Sequence, residues 1–325
     1  MNFQFSISKN FKRAIIFIIF CALAILILFF GFKIFSKKSK QQPGPSVNLN
    51  QNEPVLSFAV IGDPESDLTN LEKALTMIKN NNLSLAVLVG DLTSTGTPKQ
   101  FEAIKKILDK SQVKYFTVPG NHDLWYEKKE NIDVYQQYFD SRFLSQDFNS
   151  YQLFFLDNSD EWLGMGSEQL NWFNQSFTHL PLYPSRLRAS FAEVATKAEQ
   201  GFGRASPKAL PAARGQASIV FLHIPLYHPE SKYVMGYREE KVKKEAKQLL
   251  IQLCQNPPLA IFSGHLHHTN QFEYKCANGN ILKMISAGSV SSKRNWQKPR
   301  FLKAEILSNQ ELKIEEVVLE DKSQS

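Results

Sequence analysis

The sequence predicts an α/β layered fold, and three observations carry that prediction. From Val55 onward short apolar runs alternate with stretches of helical periodicity. Beyond Gly264 the pattern changes to strands separated by short polar turns. The composition, 43% apolar and 21% charged, is that of an ordinary globular chain.

The runs LSFAVIG, SLAVLVG, KYFTVPG, YQLFFLD, ASIVFLH and LAIFSGH each read as a buried strand. Four helices are expected between them. Positions 68–80 place Leu71, Ala74, Leu75 and Ile78 on one face, and 98–110 do the same with Phe101, Ile104, Ile107 and Leu108. Positions 167–177 carry Leu170, Trp172 and Phe173, and 239–255 carry Leu249, Leu250 and Leu253. Strand and helix in alternation argue for layers. The strands expected at 269–276, 281–286, 300–307 and 311–318 suggest a second, more antiparallel sheet packed on the first.

The N-terminal region has a different character. Positions 1–13 form a basic tail, and positions 14–32 contain no charged or strongly polar residue. At about 1.5 Å per residue such a helix nearly spans a hydrocarbon core of about 30 Å. The run ends Phe-Phe-Gly-Phe-Lys instead of in the small residues of a cleavage site. A retained transmembrane helix is therefore expected. Lys9, Lys12 and Arg13 precede it and Lys33, Lys37, Lys38 and Lys40 follow, so the flanking charge does not fix its orientation. A single N-terminal anchor often serves as an uncleaved export signal, which favours a domain outside the cytoplasm. Positions 33–54, with Pro43, Gly44 and Pro45, read as a linker to a domain over 55–320, followed by a polar tail at 321–325.

The 185–216 stretch departs from its surroundings, with eight Ala and four of the nine Arg of a chain that otherwise prefers Lys. It reads as an inserted surface loop. The formal charge of +7 comes from scattered Lys without a Lys/Arg block, so nucleic acid is not an expected partner. Three cysteines are too few for a disulfide scaffold. Cys254 and Cys276 are the candidate pair, and two free, semi-buried thiols are favoured over a bridge. Oligomeric state is not legible.

Chemistry-bearing residues fall at strand ends. Asp63 closes FAVIGD, Asp91 closes AVLVGD, and Asn121, His122 and Asp123 close FTVPGNHD. His223 closes IVFLH, and His265 and His267 close AIFSGHLH. In open α/β sheets the loops at the carboxyl edge converge on a crevice, which would gather these donors in space. Carboxylate, amide oxygen and imidazole without thiolate suit Mn, Fe or Zn and argue against a structural zinc site. A lone histidine after a strand is more often a satisfied buried polar group than a ligand, and for His223 alone the two readings are balanced. Five of the seven histidines (His122, His223, His265, His267 and His268) lie in these motifs, which makes that reading poor for the set. His268 reads as a neighbour of the site, and His179 and His228 as uninvolved. Trp125 and Tyr126, just after GNHD, are candidates for a pocket wall or for core packing.

The series GD(63), GD(91), GNHD(120–123), H(223), GHLH(264–267), spread from Val55 to Ser289, resembles the calcineurin-like metallophosphoesterase family. The resemblance implies a four-layer α/β/β/α sandwich and two divalent metal ions. It implies that Asp63 and His267 hold the first ion, that Asp91 bridges, and that Asn121, His223 and His265 hold the second. His122 would assist the leaving group, with Asp123 orienting its ring. The implied reaction is hydrolysis of a phosphomonoester or phosphodiester by a hydroxide bridging the two ions. The family's first motif is usually Asp-x-His, whereas this chain has Asp63-Pro64-Glu65. Glu65 still offers oxygen, and a harder ligand set favours Mn. The alternative is a chain that keeps the fold as a scaffold or binding protein with impaired chemistry. The substrate beyond a phosphate ester is not legible, since specificity resides in loops.

Overall fold

The computed structural model describes residues 53–139, 141–178 and 217–319. The expected 14–32 span, nearly all of the 33–54 linker and the 185–216 insertion lie outside them. Among the described residues no helix is long and apolar enough to cross a membrane.

The strands, in chain order, are β1 (Pro54–Ile61), β2 (Leu85–Val89), β3 (Tyr115–Val118), β4 (Leu144–Phe148), β5 (Tyr151–Phe155) and β6 (Ala217–Phe221), then β7 (Ala260–Ser263), β8 (Thr269–Lys275), β9 (Ile281–Ala287), β10 (Arg300–Leu307) and β11 (Leu312–Val318). The helices are α1 (Leu68–Asn80), α2 (Pro98–Ser111), α3 (Trp125–Glu130), α4 (Tyr135–Tyr138), α5 (Gly166–Thr178) and α6 (Glu240–Gln255). Local chemistry sets several of these boundaries. Asp67 caps α1 by accepting the Asn70 amide at 3.1 Å. Pro98 opens α2, where its missing N–H costs nothing, and Gln112 ends it in the left-handed conformation.

Two mixed sheets result, one ordered β11-β10-β1-β2-β3 and the other β4-β5-β6-β7-β9-β8. β1, β2 and β3 are parallel, with antiparallel β10 and β11 on the β1 side only, while β5, β6, β7 and β9 are parallel, with antiparallel β4 and β8 at the two edges. The strands after Gly264 therefore do not make a sheet of their own. β8 and β9 extend the second sheet, while β10 returns to pair with β1 in the first. Both sheets are consequently mixed, and the expectation of one more antiparallel sheet is corrected.

Period-two alternation sorts the side chains into layers. Leu153 and Phe155 of β5 join Ile219 and Phe221 of β6 in a core that also holds Phe58 and Val60 of β1. Their neighbours Phe154, Val220 and Leu222 point the other way, onto Phe173 of α5 and Val242 and Leu249 of α6. On the outer face of the first sheet, Ala59 and Ile61 meet Leu71 and Leu75 of α1 and Phe101 of α2. The order is helix, sheet, sheet, helix. Between the sheets Phe221 stacks on Phe155 at 5.2 Å and on Phe262 at 5.4 Å, and Phe58 meets Phe221 and Phe262 edge-on. Each of these rings is fully buried, worth about 1.5–3 kcal/mol apiece relative to exposure. This rigid aromatic layer fixes the two sheets whose strand ends carry the site.

Cys254, in the last turn of α6, is bonded to Cys276, just past β8. That corrects the expectation of free thiols. The helix end and the strand end meet across the outer core, a juxtaposition that their 22-residue separation conceals.

Candidate metal centre

Asp63, Asp91 and Asn121 lie just beyond β1, β2 and β3 in one sheet, and His223 and His265 just beyond β6 and β7 in the other. The donors therefore converge from two facing sheets, not from one edge of a single sheet. The turns that aim them are conformationally unusual. Asp63 (φ 45°), Glu65 (φ 44°), Asp91 (φ 46°), His265 (φ 69°) and His267 (φ 56°) all occupy the left-handed region. Such geometry costs about 1–3 kcal/mol per residue and persists where the surroundings over-determine it. Close approach explains the glycine in GNHD, because a Cβ on Gly120 would fall 2.0 Å from the Asp91 amide nitrogen and 2.2 Å from its Oδ1.

His223 shows what the cluster is built to hold. Its Nδ1 is 2.9 Å from the Val89 carbonyl oxygen, so that nitrogen carries the proton. Burial pushes the imidazole down to about 3, and the ring is neutral with no second proton. Its Nε2 lone pair then faces Asn121 Oδ1 at 3.0 Å and Asp91 Oδ1 at 3.4 Å. His265 Nδ1 approaches the same Asn121 oxygen at 3.0 Å, and burial, then His223, keeps that ring neutral as well. The His223 Nε2 lone pair, Asn121 Oδ1 and Asp91 Oδ1, turned towards one another with no proton among them, make a cradle for a cation.

A second group lies beside it. Donor atoms of Asp63, Asp91 and His267 come within 4.8 Å of one another, as do those of Glu65, Asp91 and His122. Asp91 belongs to both groups and sits between them. His267 Nε2 lies 3.8 Å from Asp63 Oδ1 and 3.9 Å from Glu65 Oε1. Asp63, Glu65 and Asp91 are all at most 1% exposed. Burial, then Asp91, raises the Asp63 carboxyl well above its ordinary range, and burial pushes Asp91 up to about 6. Crowded buried carboxylates are costly alone and favourable around a cation. The donor set fits a pair of divalent ions.

His122 and Asp123 part company. The His122 ring bonds the Ser94 carbonyl oxygen through Nδ1 at 2.9 Å. The Asp123 carboxylate instead accepts the amides of Leu92 (3.1 Å), Thr93 (2.8 Å) and Gly120 (2.9 Å), and the Thr93 hydroxyl at 2.7 Å. The ring is thus oriented by Ser94, and Asp123 ties the loop after β2 to the loop after β3. This corrects the expectation that Asp123 orients the imidazole. Trp125 lies against His122, ring centres 3.9 Å apart, and is half exposed on the cleft wall. Tyr126 packs into the core outside the first sheet.

Sequence reasoning missed several neighbours. Asn158, just past β5, accepts the His223 and Ile224 amides at 3.0 Å each and donates to the Ile224 carbonyl at 2.6 Å. Its signal was a polar residue at one more strand end on the same edge. Arg294, in the loop after β9, is ion-paired with Glu65 and donates from Nη2 to His122 Nε2 at 3.1 Å. A cleft of about 550 Å³ opens above the cluster, with Trp125, Trp162, Tyr233, Tyr237, Arg238 and Arg294 in its lining. His268 also lines the cleft, whereas His228 is buried and accepts the Glu230 and Ser231 amides.

Comparison with known proteins places this geometry. The family model for calcineurin-like phosphoesterases matches residues 56–269. The chain is 27% identical over 124 residues to a probable glycerophosphodiester phosphodiesterase of Arcobacter nitrofigilis, covering 34% of this chain and 45% of that one. It is 35% identical over 54 residues to a probable cyclic nucleotide phosphodiesterase of Vesicomyosocius okutanii, covering 17% and 23%. The chain thus spans less than half the length of these curated relatives. A dimetal phosphatase from Danio rerio superposes with a TM-score of 0.52 at 14% identity, covering 81% of this chain and 96% of that one, which speaks for the fold alone. The match over residues 56–269 spans well over half of the 325 positions and contains every strand-end donor described above. The chain belongs to the calcineurin-like phosphoesterase family.

Proposed function

We propose that this chain is a membrane-anchored, metal-dependent phosphoesterase that hydrolyses a phosphomonoester or phosphodiester in the cleft above Asp91. The observation that carries the reading is the convergence of His223 Nε2, Asn121 Oδ1 and Asp91 Oδ1 with no proton among them. Asp63, Glu65 and His267 would hold one divalent ion, Asn121, His223 and His265 the other, with Asp91 between them. Bound there, the ions supply an activated water and positive charge for phosphoryl oxygens. The oxygen-rich ligand set favours Mn.

The protein's own groups do the rest. His122, oriented by Ser94, presents Nε2 to the cleft, where a proton on that atom can pass to the leaving oxygen. Trp125 braces the ring and covers it on one side. The charge-free run at 14–32 supports a membrane anchor, and the Cys254–Cys276 bond supports a domain in an oxidising compartment outside the cytoplasm.

The test is elemental analysis of the purified full-length chain in detergent, with hydrolysis of aryl phosphomonoester and diester substrates in added Mn. Two ions per chain and turnover are expected, with turnover abolished in Asp91→Ala and His122→Ala. One observation favours a second reading, a binding protein on the same fold. The Glu65 carboxylate already has a cationic partner in Arg294. Fewer than two ions per chain and no turnover under any added metal would establish that reading instead.

A further inference from the structure

Arg294 stands in an unusual position. Its backbone is in the left-handed region (φ 50°), and its side chain is 55% exposed, yet its guanidinium reaches Glu65, which is 1% exposed. Its Nη2 also donates to His122 Nε2, an atom free to accept because the ring's proton lies on Nδ1 towards Ser94. Beside it Lys293 Nζ lies 3.3 Å from the Glu65 carbonyl oxygen. The group therefore spans both functional edges of the cleft, a carboxylate in the first cluster and the imidazole meant for the leaving oxygen.

A guanidinium has five donors in a planar fork that matches the oxygens of a phosphate. It also competes with any divalent ion for the same Glu65 oxygen. The contact with His122 adds a further point, since the guanidinium covers the ring nitrogen that faces the cleft. Arg294 must leave His122 for the ring to carry a proton to a leaving group. An incoming phosphate ester supplies what the guanidinium loses by moving.

We propose that Arg294 is the phosphate-binding residue of the cleft. It rests on Glu65 and His122 in the conformation described here and transfers to the nonbridging phosphoryl oxygens when Glu65 takes a metal ion. The assignment rests on the phosphoesterase reading above and specifies how that site grips its substrate.

The test uses the full-length chain in detergent, with Arg294→Gln and Arg294→Lys, and reads three quantities. These are the affinity for inorganic phosphate by calorimetry, the affinity for Mn by titration of free ion, and the melting temperature. In Arg294→Gln, phosphate should bind about 10- to 100-fold more weakly, the range for a lost hydrogen bond to a charged group. Mn should bind about 2- to 5-fold more tightly, the range for removing one competing, half-exposed ion pair. Arg294→Lys, which keeps the charge and loses the fork, should fall between. Unchanged phosphate affinity overturns the assignment. Weakening of both ligands together, with a lowered melting temperature, assigns Arg294 a structural role and overturns it too. Weakened phosphate with unchanged Mn removes the exchange on Glu65. Arg294-dependent phosphate binding in a chain that hydrolyses no ester would remove the hydrolase reading and leave this one standing.

Discussion

The Asp123 carboxylate accepts the Thr93 amide at 2.8 Å and the Thr93 hydroxyl at 2.7 Å, while the His122 ring next to it in sequence turns away to bond Ser94. Adjacent residues in one motif thus have separable work. Asp123→Ala strands buried amides of Leu92, Thr93 and Gly120, each unsatisfied donor costing about 1–3 kcal/mol. A loss of about 3 kcal/mol or more in urea unfolding is expected. His122→Ala should cost much less stability and abolish turnover. Equal stability of the two variants would return Asp123 to a purely catalytic role.

Metal removal should reverse the pH dependence of stability. Burial raises Asp63 well above its ordinary range, Asp91 to about 6 and Asp123 to about 7. These folded-state values lie above those of the unfolded chain, so the folded state binds more protons between about pH 4 and 7. Stability of the chelator-treated protein is then greatest below that window and falls as pH rises through it. For Asp91 alone the swing is at most about 3 kcal/mol. Added Mn should restore stability at pH 7.5 and do little at pH 5, where protons compete for the same oxygens. Thermal melts with and without chelator at the two pH values check this. A chelated protein that is more stable at pH 7.5 would contradict it.

Much of this was legible because the local signals were strong. Every parallel strand except β9 is a short apolar run, and the strand-end donors follow such runs at a glycine-bearing turn or, for His223, immediately. What escaped depended on pairing at a distance. Nothing local in Arg300–Leu307 says that it pairs with β1 and not with its sequence neighbours β8 and β9. Ser94 reaches His122 across 28 positions and Arg294 reaches Glu65 across the whole domain, so neither contact has a linear pattern. The role of Asp123 came from the family resemblance, whereas the turn in this chain gives the His122 ring to Ser94.

The Cys254–Cys276 bond should be found in protein made with its export route intact. Non-reducing alkylation and mass analysis should then leave only Cys21 labelled among the three cysteines. Closing a loop of this length stabilises by about 3 kcal/mol in the chain-entropy picture. Cys254→Ser with Cys276→Ser should lower the urea midpoint accordingly, without changing metal content, because the pair lies in the outer core under α6. Full labelling of all three thiols would remove the bond and with it the argument for an oxidising compartment.

Glu65 decides whether the first cluster is a working site. Its carboxylate is buried, lies 3.9 Å from His267 Nε2, and belongs with Asp91 and His122 to one group of converging donors. Glu65→Gln keeps the shape and one oxygen but removes the charge that holds both Arg294 and a cation. It should leave one tightly bound ion, in the Asn121, His223 and His265 cluster, and lower turnover by at least about tenfold if a charge-assisted contact worth about 1.5–3 kcal/mol is lost. Glu65→His replaces a hard oxygen by an imidazole nitrogen. With Mn and Zn supplied together, the wild-type chain should hold relatively more Mn and Glu65→His relatively more Zn, since softer nitrogen ligation favours the later metal. Elemental analysis of the three proteins after the same competition distinguishes the cases. An unchanged metal ratio and unchanged stoichiometry across all three would mean that Glu65 touches no ion, leaving it as the anchor of Arg294 alone.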